Sequence, residues 1–376
     1  MAGQVIRRGE STWLVRIALG RAASGKRMHH NKTVKGTKKD AQRYLTKTLR
    51  EMDTNTFVDA SPLTLEAFLH QWLETAAKPR VREKTLLDYT RLADSYLIPA
   101  LGHRKLSQLT PSEVQAVYAA MQARGLSPRT VRYVHSVLHG ALEQAVRWNM
   151  LAKNVAKLVN LPRQDRREMH ALSASEATTF LAASKGTRWD ALWVLLLTTG
   201  LRPGEALGLK WSDIESGKIR VQRALTRIGS SWSLVEPKTS RARRVVTLPK
   251  SAMESLTAHR LRQVQDRLRS GPSWANHDLI FTTRKGDPLD YRVVIRRHFK
   301  PILEATNLPQ IRPYDLRHTC ATLLLGAGEN VKVVSERLGH ASASLTLDVY
   351  SHVLPDMQQA AAERLEEMLF TGTRNI

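Results

Sequence analysis

The chain has 376 residues, more than one domain usually holds, so we expect two or three domains. Lysine and arginine total 58 against 34 acidic residues, a formal net charge of +24, and such an excess indicates a polyanionic partner, usually nucleic acid. No apolar run approaches the roughly 20 residues of a membrane span, residues 1–8 do not show the apolar segment of a signal peptide, and the single cysteine, Cys320, cannot form an internal disulfide. We therefore expect a soluble cytoplasmic protein without a membrane partner.

Residues 1–58 are predicted to form a small basic α+β domain. Residues 4–8, 12–19 and 29–34 carry the alternation that is typical of strands, with turns between them. A helix is expected to begin at residues 37–40 and to run to Glu51. Three strands and one helix make a core too small to be very stable alone.

Residues 62–162 are predicted to be helical throughout. Apolar side chains recur at helical spacing over residues 65–73, and a second helix over residues 85–97 is expected to stop near Pro99. Thr110 and Glu113 form a capping box at the start of another helix. A helix that begins after Ser127 runs to residue 148. Residues 163–170 are polar and charged, which indicates a linker.

A third domain is predicted over residues 171–355, beginning with a Ser173–Glu176 capping box. Residues 191–197 are apolar all round, which predicts a buried helix that ends at Gly200. Arg202 then lies where a new helix begins, so its guanidinium and the helix end would make an anion site. The alternative for this arginine is a surface ion pair with Glu205.

Strand-like runs at residues 218–224, 233–235 and 244–248 predict a small antiparallel sheet. We interpret residues 236–241 as a hairpin loop that begins near Lys238. A lysine in a turn is most often only solvated, so Lys238 alone would carry little weight.

Further along, polar residues are placed at the ends of short helices. Arg317 and His318 precede an apolar helical segment, and a second helix is expected between an N-cap at Asn330 and a left-handed C-cap at Gly339. His340 follows that glycine. Helix ends on a packed scaffold are suitable places from which to direct several polar groups at one point.

The segments 198–205, 313–319, 337–340 and 346–352 together resemble the tyrosine recombinase, or phage integrase, family. The resemblance implies an arm-type DNA-binding domain (1–58), a core-binding domain (62–162) and a mainly-α catalytic domain with a small sheet (171–355). It also implies an arm-domain-containing integrase of a phage or an integrative and conjugative element. Within the tail, residues 356–376, an amphipathic helix is predicted over residues 356–370. It would pack on its own domain or, as the resemblance favours, on a neighbouring protomer.

The chemistry that the resemblance implies suits the residues present. Tyr350 would attack a DNA phosphodiester and form a 3′-phosphotyrosine. Arg202 and Arg317 offer planar, permanently charged forks for the nonbridging oxygens. Lys238 would protonate the leaving 5′-oxygen, and His340 would hydrogen-bond the phosphate or assist proton transfer. Strand exchange would pass through a Holliday junction and needs no ATP, metal or cofactor.

One position departs from the family pattern, because Tyr314 occupies the place of a histidine. A phenol cannot act as an imidazole base near neutral pH, so the group that deprotonates Tyr350 stays open. We assign supporting roles to Glu205, Tyr314 and His318. The candidate DNA-binding residues are Arg7, Arg16, Arg27, Lys32, Arg129, Arg132 and Arg241.

The expected partners are double-stranded DNA at core and arm sites, three further copies in a homo-tetramer, and a directionality factor or DNA-bending host protein. Such a protein would be associated with the nucleoid. Two alternatives remain. A type IB topoisomerase would share the tyrosine chemistry but relax DNA as a monomer. A noncatalytic DNA-binding regulator would form no covalent complex.

Overall fold

The computed structural model describes residues 3–21, 27–53, 62–164, 170–237, 242–340, 342, 347, 362–363 and 365–371. The chain divides into two compact units, residues 1–165 and 166–376. The division lies within the segment predicted as a linker, 163–170. The finer domain boundaries given above stay predictions.

The N-terminal part of the first unit is a three-stranded antiparallel sheet in the order β1 (Gly3–Gly9), β2 (Thr12–Arg21) and β3 (Arg27–Lys35). Helix α1 (Lys38–Asp53) packs against one face of the sheet. Val15 and Ile17 of β2 are fully buried there, together with Ala41 of α1. The predicted α+β arrangement is confirmed.

The rest of the first unit is helical, as predicted. Its helices are α2 (Leu65–Trp72), α3 (Glu83–Leu92), α4 (Ile98–Leu101), α5 (Pro111–Ala123) and α6 (Pro128–Arg147). Both halves of the Thr110–Glu113 capping box are formed at α5. Buried side chains of these helices, Phe68, Tyr118 and Leu138 among them, form a separate hydrophobic core.

The helix expected to stop near Pro99 ends two residues later, at Leu101. A wide helical turn (Ala93–Leu97) joins α3 to α4, so the helical path continues past Pro99 to Leu101. The Ile98 N–H donates to the Ala93 carbonyl, five residues back rather than four. This wider turn accommodates a proline ring that would clash in a regular α-helix.

The second unit combines helices with two small sheets. Its first helices and strands are α7 (Ala174–Ser184), α8 (Asp190–Thr199), α9 (Pro203–Leu207), β4 (Ile214–Glu215), β5 (Lys218–Val221), β6 (Ala224–Ile228), β7 (Ser231–Val235) and β8 (Arg244–Thr247). These are followed by α10 (Lys250–Ser270), α11 (Tyr291–Val294), α12 (Lys300–Ala305), α13 (Asp315–Gly326) and α14 (Val331–Leu338). The predicted buried helix is α8, in which Leu192, Trp193 and Leu195 are fully buried.

The predicted hairpin around residues 236–241 is wrong, because the strands on either side of it belong to different sheets. Strand β7 pairs with β6, whereas β8 pairs with β5, which also pairs with β4. The strand-like run 218–224 is accordingly split between β5 and β6. Gly208, just after α9, lies so close to β6 that an added Cβ would meet the Leu225 nitrogen at 2.8 Å. This close approach lets β6 pack on α9 instead of continuing the sheet formed by β4, β5 and β8.

The described part of the C-terminal tail is helical and ends in a wide turn (Glu367–Thr371). Its apolar side chains are exposed, with Leu365 58% and Met368 80% accessible. The first residues of the predicted tail helix, 356–361, lie outside the described residues.

Candidate active site

Arg202 is held at the junction of α8 and α9 by two hydrogen bonds that it donates to the Glu205 carboxylate. Helix α8 ends at Gly200, whose φ of 64° is left-handed, and Pro203 begins α9. The Arg202 backbone N–H donates to Glu205 Oε2 at 3.0 Å, and its Nη1 donates to Oε1 at 2.8 Å. The Glu205 side chain is 4% exposed and the Arg202 side chain 36%, so the ion pair is buried on its carboxylate side and is not the fully exposed surface pair considered as the alternative.

The Glu205 carboxylate is shared with a second arginine. Arg244 Nη2 donates to Glu205 Oε2 at 2.9 Å. Burial alone would raise the pKa of Glu205, but the charges and hydrogen bonds of Arg244 and Arg202 outweigh it and lower that pKa below its ordinary value. Glu205 is therefore an anion that serves two guanidinium groups.

Arg317, in the first turn of α13, is the most deeply buried of these cations, with 1% of the residue exposed. Its Nη1 donates to the Gly200 carbonyl at 2.7 Å. Its Nη2 is buried and has no hydrogen-bond partner among the residues that the structure describes. Burial and the charge of Arg202 lower the pKa of Arg317 to about 10. A buried cation with an unused donor favours an anionic ligand at this point.

His340 follows α14, and its position depends on the left-handed turn at Gly339, whose φ is 67°. The predicted N-cap at Asn330 and C-cap at Gly339 both match the structure. Burial, together with the charges of Arg317 and Arg202, lowers the pKa of His340 to about 4. The imidazole is thus neutral at physiological pH. A cleft of about 500 Å³ opens here, and its lining includes Arg243, Arg244, Lys332 and His340.

Tyr314 and His318 lie beside these groups. Burial alone would lower the pKa of Arg202, but the charge of Glu205, its hydrogen bond with Arg202 and the nearby Tyr314 side chain raise it. The Tyr314 phenol therefore lies near the Arg202 guanidinium. The His318 ring packs against the Tyr314 ring with centroids 5.3 Å apart, and burial lowers the pKa of His318. The structure thus brings together Arg202, Glu205, Tyr314, Arg317, His318 and His340.

Three predicted site residues, Lys238, Arg241 and Tyr350, lie outside the described residues. Among the residues that the structure describes, no group of three or more histidine, cysteine or acidic side chains is placed to hold a metal ion. Within the same part of the chain, no helix is long and apolar enough to cross a membrane.

The predicted DNA-binding residues of the N-terminal sheet do not share one face. Directly opposed residues of paired strands lie on the same face. Arg16 lies opposite Gln4 and Asn31, on the face away from α1, and donates to Asn31 Oδ1 at 3.1 Å. Lys32 lies opposite the buried Val15, on the α1 side.

The remaining predicted DNA-binding residues also differ in their surroundings. Arg7 lies opposite Trp13, over whose ring its guanidinium lies at 6.0 Å from the centroid. Arg27 is exposed at the start of β3. In the helical part, Arg129 donates to the Tyr133 phenol oxygen, and Arg132 donates to the Pro162 carbonyl at 3.0 Å.

Arg244 is the residue of this site that sequence reasoning missed. Its side chain is 6% exposed, and it lies two residues before the buried Val246 on the same strand face. That period of two was a usable signal. It was obscured because Val245 and Val246 are both apolar, which leaves the buried face of β8 ambiguous in the sequence.

The second unit, which is helical with small antiparallel sheets, thus holds two arginines, a shared carboxylate and a neutral histidine near one another. Comparison with known proteins identifies the family. The sequence model of the phage integrase family matches residues 168–357. The sequence model of the phage integrase N-terminal SAM-like domain matches residues 64–122.

Relatives match along almost the whole chain. The chain is 30% identical over 384 residues to a XerC-like tyrosine recombinase of Caldanaerobacter subterraneus subsp. tengcongensis, which covers 96% of this chain and 98% of the relative. It is 31% identical over 375 residues to an integrase of Streptomyces ambofaciens, which covers 96% of this chain and 94% of the relative.

Solved structures share the fold. The Tn1549 transposon integrase in complex with a circular intermediate DNA matches with a TM-score of 0.66 at 22% identity, over 81% of this chain and 99% of that one. A lambda integrase tetramer bound to a Holliday junction matches with a TM-score of 0.55 at 18% identity, over 91% and 97% of the two chains. The chain belongs to the phage integrase family, the tyrosine-type site-specific recombinases of phages and mobile elements.

Proposed function

We propose that this recombinase cuts and rejoins DNA through a 3′-phosphotyrosine formed by Tyr350, with the scissile phosphate bound between Arg202 and Arg317. The observation that carries the proposal is the Arg317 guanidinium, which is buried and keeps an unpartnered Nη2 among the described residues. A buried guanidinium fork with one donor unused is suited to a phosphate oxygen.

The charges around this point favour the transition state over the ground state. Arg202, Arg244 and Arg317 contribute three positive charges and Glu205 one negative charge, which leaves a net +2 among these described residues. A phosphodiester carries one negative charge, and attack by a phenolate gives a pentacovalent species with two. Fixed cations therefore bind the doubly charged pentacovalent species more strongly than the phosphodiester, and this difference in binding accelerates the reaction.

The reaction also needs two proton transfers, and the remaining side chains of the site would carry them out. The Tyr350 phenol must lose its proton as its oxygen bonds to phosphorus, and the departing 5′-oxygen must gain one from Lys238. His340 is neutral, so it donates one ring N–H to a phosphate oxygen instead of adding a further positive charge. Tyr314 lies near Arg202 and would help to orient it. The base that takes the Tyr350 proton remains one of the neutral imidazoles, His318 or His340, or a water molecule.

The partner of this site is double-stranded DNA, bound at core and arm sites of an attachment sequence by a homo-tetramer. The net charge of +24 supports this, and so do the DNA complexes of the Tn1549 and lambda integrases. The exposed apolar side chains of the described tail support docking of that segment on a neighbouring protomer. A directionality factor or a DNA-bending protein would complete an assembly that acts on the nucleoid.

The test uses a nicked duplex that carries the attachment-site core, so that the cut strand diffuses away and the covalent complex is trapped. Wild-type protein, in the presence of a chelator, should give an adduct that survives denaturation, and Tyr350→Phe should give none. An adduct that persists in Tyr350→Phe but disappears in Tyr314→Phe would make Tyr314 the nucleophile. Tight binding without any adduct would instead favour the noncatalytic regulator.

Strand exchange separates the proposal from the topoisomerase alternative. Two labelled attachment duplexes should yield recombinant products and a junction intermediate. Relaxation of any supercoiled plasmid, without recombinants and without dependence on the attachment sequence, would favour the topoisomerase.

A further inference from the structure

Arg244 joins three separate segments of the catalytic unit through one side chain. Its Nη2 donates to Glu205 Oε2 at 2.9 Å, its Nε donates to the Arg337 carbonyl at 2.7 Å, and its Nη1 donates to the Ala242 carbonyl at 3.1 Å. The side chain is 6% exposed. Each of its three guanidinium nitrogens thus donates a hydrogen bond within the protein, so the protein itself fixes the orientation of this side chain.

The first two of these contacts lead directly to proposed phosphate-binding groups. The Glu205 carboxylate accepts one hydrogen bond from the Arg202 backbone N–H and another from the Arg202 guanidinium. The Arg337 carbonyl lies three residues before His340, at the end of α14. Arg244 therefore fixes the partner of one phosphate-binding group and the backbone that carries another.

The segment that leads to His340 is also tied to the segment that leads to Arg202. Arg337 Nη2 donates to the Thr198 carbonyl at 2.7 Å. Gly200 packs so closely on this segment that an added Cβ would lie 2.5 Å from Leu338 Cδ2. Arg244 bridges the same two segments through its side-chain donors.

We propose that Arg244 is a positioning residue that holds Arg202 and His340 at a fixed separation around one phosphate, by binding the Glu205 carboxylate and the Arg337 carbonyl together. This inference rests on the proposed function. A planar guanidinium with directed donors on three atoms can do this, whereas an ammonium keeps the charge but cannot reach all three acceptors with the same geometry.

The kinetic test compares Arg244→Met and Arg244→Lys in the full chain on the nicked duplex. Loss of a group that orients a functional side chain typically reduces activity about 10- to 100-fold. We expect that loss in the rate of adduct formation for both variants, with DNA affinity unchanged within about twofold. Combined with Arg202→Ala, Arg244→Met should reduce the rate less than it does alone, because the two residues act through one group. Full additivity, or rescue of the rate by lysine, would overturn the proposal.

Hydrogen–deuterium exchange tests the positioning without any reaction. The Arg202 amide donates to Glu205, and the His340 amide donates to the Ser335 carbonyl. In Arg244→Met both amides should exchange faster than in wild type. Arg188→Met, which breaks the Arg188–Asp266 ion pair elsewhere in the unit, is the matched control and should leave these two amides unchanged.

The adduct assay and the exchange measurement test the proposed function and the positioning role of Arg244 separately. Absence of an adduct with wild-type protein would refute the proposed function, yet altered exchange at residues 202 and 340 would still support the positioning role. Unchanged exchange at both residues, or equal changes in the Arg188→Met control, would refute the role of Arg244 whatever the adduct assay gives.

Discussion

The arginines of the N-terminal sheet and those of the second unit carry the same charge in opposite settings. Arg7 and Arg16 make side-chain hydrogen bonds to neutral groups, the Gly9 carbonyl and the Asn31 amide. Arg244 and Arg317 are almost completely buried and fixed by directed hydrogen bonds. Exposed cations raise affinity through counterion release, whereas buried cations act only on a group brought to them. The difference teaches that high net charge and a catalytic site are separate properties of this chain.

The largest effect should come from the most buried cation. Arg317→Met keeps much of the side-chain volume but removes the charge and all three guanidinium nitrogens. Loss of one preorganised donor at a transition state typically reduces the rate about 10²- to 10³-fold. We expect that reduction in adduct formation on the nicked duplex, with the thermal midpoint monitored as a control. A rate within tenfold of wild type in a folded variant would remove Arg317 from the phosphate site.

Glu205→Gln sharpens the comparison by removing the buried anion and leaving its two arginines. Breaking a buried ion pair by removing one partner typically destabilises a protein by about 3–5 kcal/mol. Chemical denaturation should show a loss near this range. The matched control is Asp213→Asn, because Asp213 also accepts a backbone N–H, from Lys210, and pairs with one arginine, Arg223. Equal losses of unfolding free energy in the two variants would mean that pairing Glu205 with a second arginine adds nothing to stability.

Arg16→Ala and Lys32→Ala test which face of the N-terminal sheet meets DNA. Arg16 is on the face away from α1, and Lys32 is on the face towards it. If the open face contacts phosphates, Arg16→Ala should reduce the slope of log affinity against log salt by about one, and Lys32→Ala should leave it unchanged. Titrations of an arm-site duplex at several salt concentrations measure this. The reverse order would place DNA on the α1 side.

The smallest effect concerns pH. The folded pKa of His340, about 4, lies below the ordinary value of 6.5, so between these values the unfolded chain binds more protons than the folded one. His340 therefore makes stability rise with pH between about 4 and 6.5, and this contribution is lost as pH falls through that window. His340→Asn should flatten the dependence of the free energy of unfolding on pH there. An unchanged slope would show that the buried His259 and His318 determine it.

Local signals predicted most of the fold. Caps such as Thr110, Ser173 and Gly339 depend on residues a few positions apart, so the sequence displays them. The sheets of the catalytic unit were predicted less well. Whether β8 pairs with β5 or with β7 depends on how closely β6 approaches α9, and a local pattern does not contain that distance.

The candidate site divides in the same way. Short sequence motifs at helix ends contain Arg202, Arg317 and His340, and the structure brings these three residues together. Arg244 acts on residues 39 positions before it and 93 positions after it. Periodicity could have indicated that Arg244 is buried, but its role follows from tertiary contacts that no local pattern or short motif contains.

Gly200 has a consequence for building chimaeric recombinases. With no room for a Cβ between it and Leu338, the segments around residues 198–205 and 335–340 behave as one exchangeable block. We expect transplants of either segment alone from a relative to misfit, and transplants of both together with residue 244 to fold. Specificity engineering would then leave this block intact and draw its diversity from the other parts of the chain.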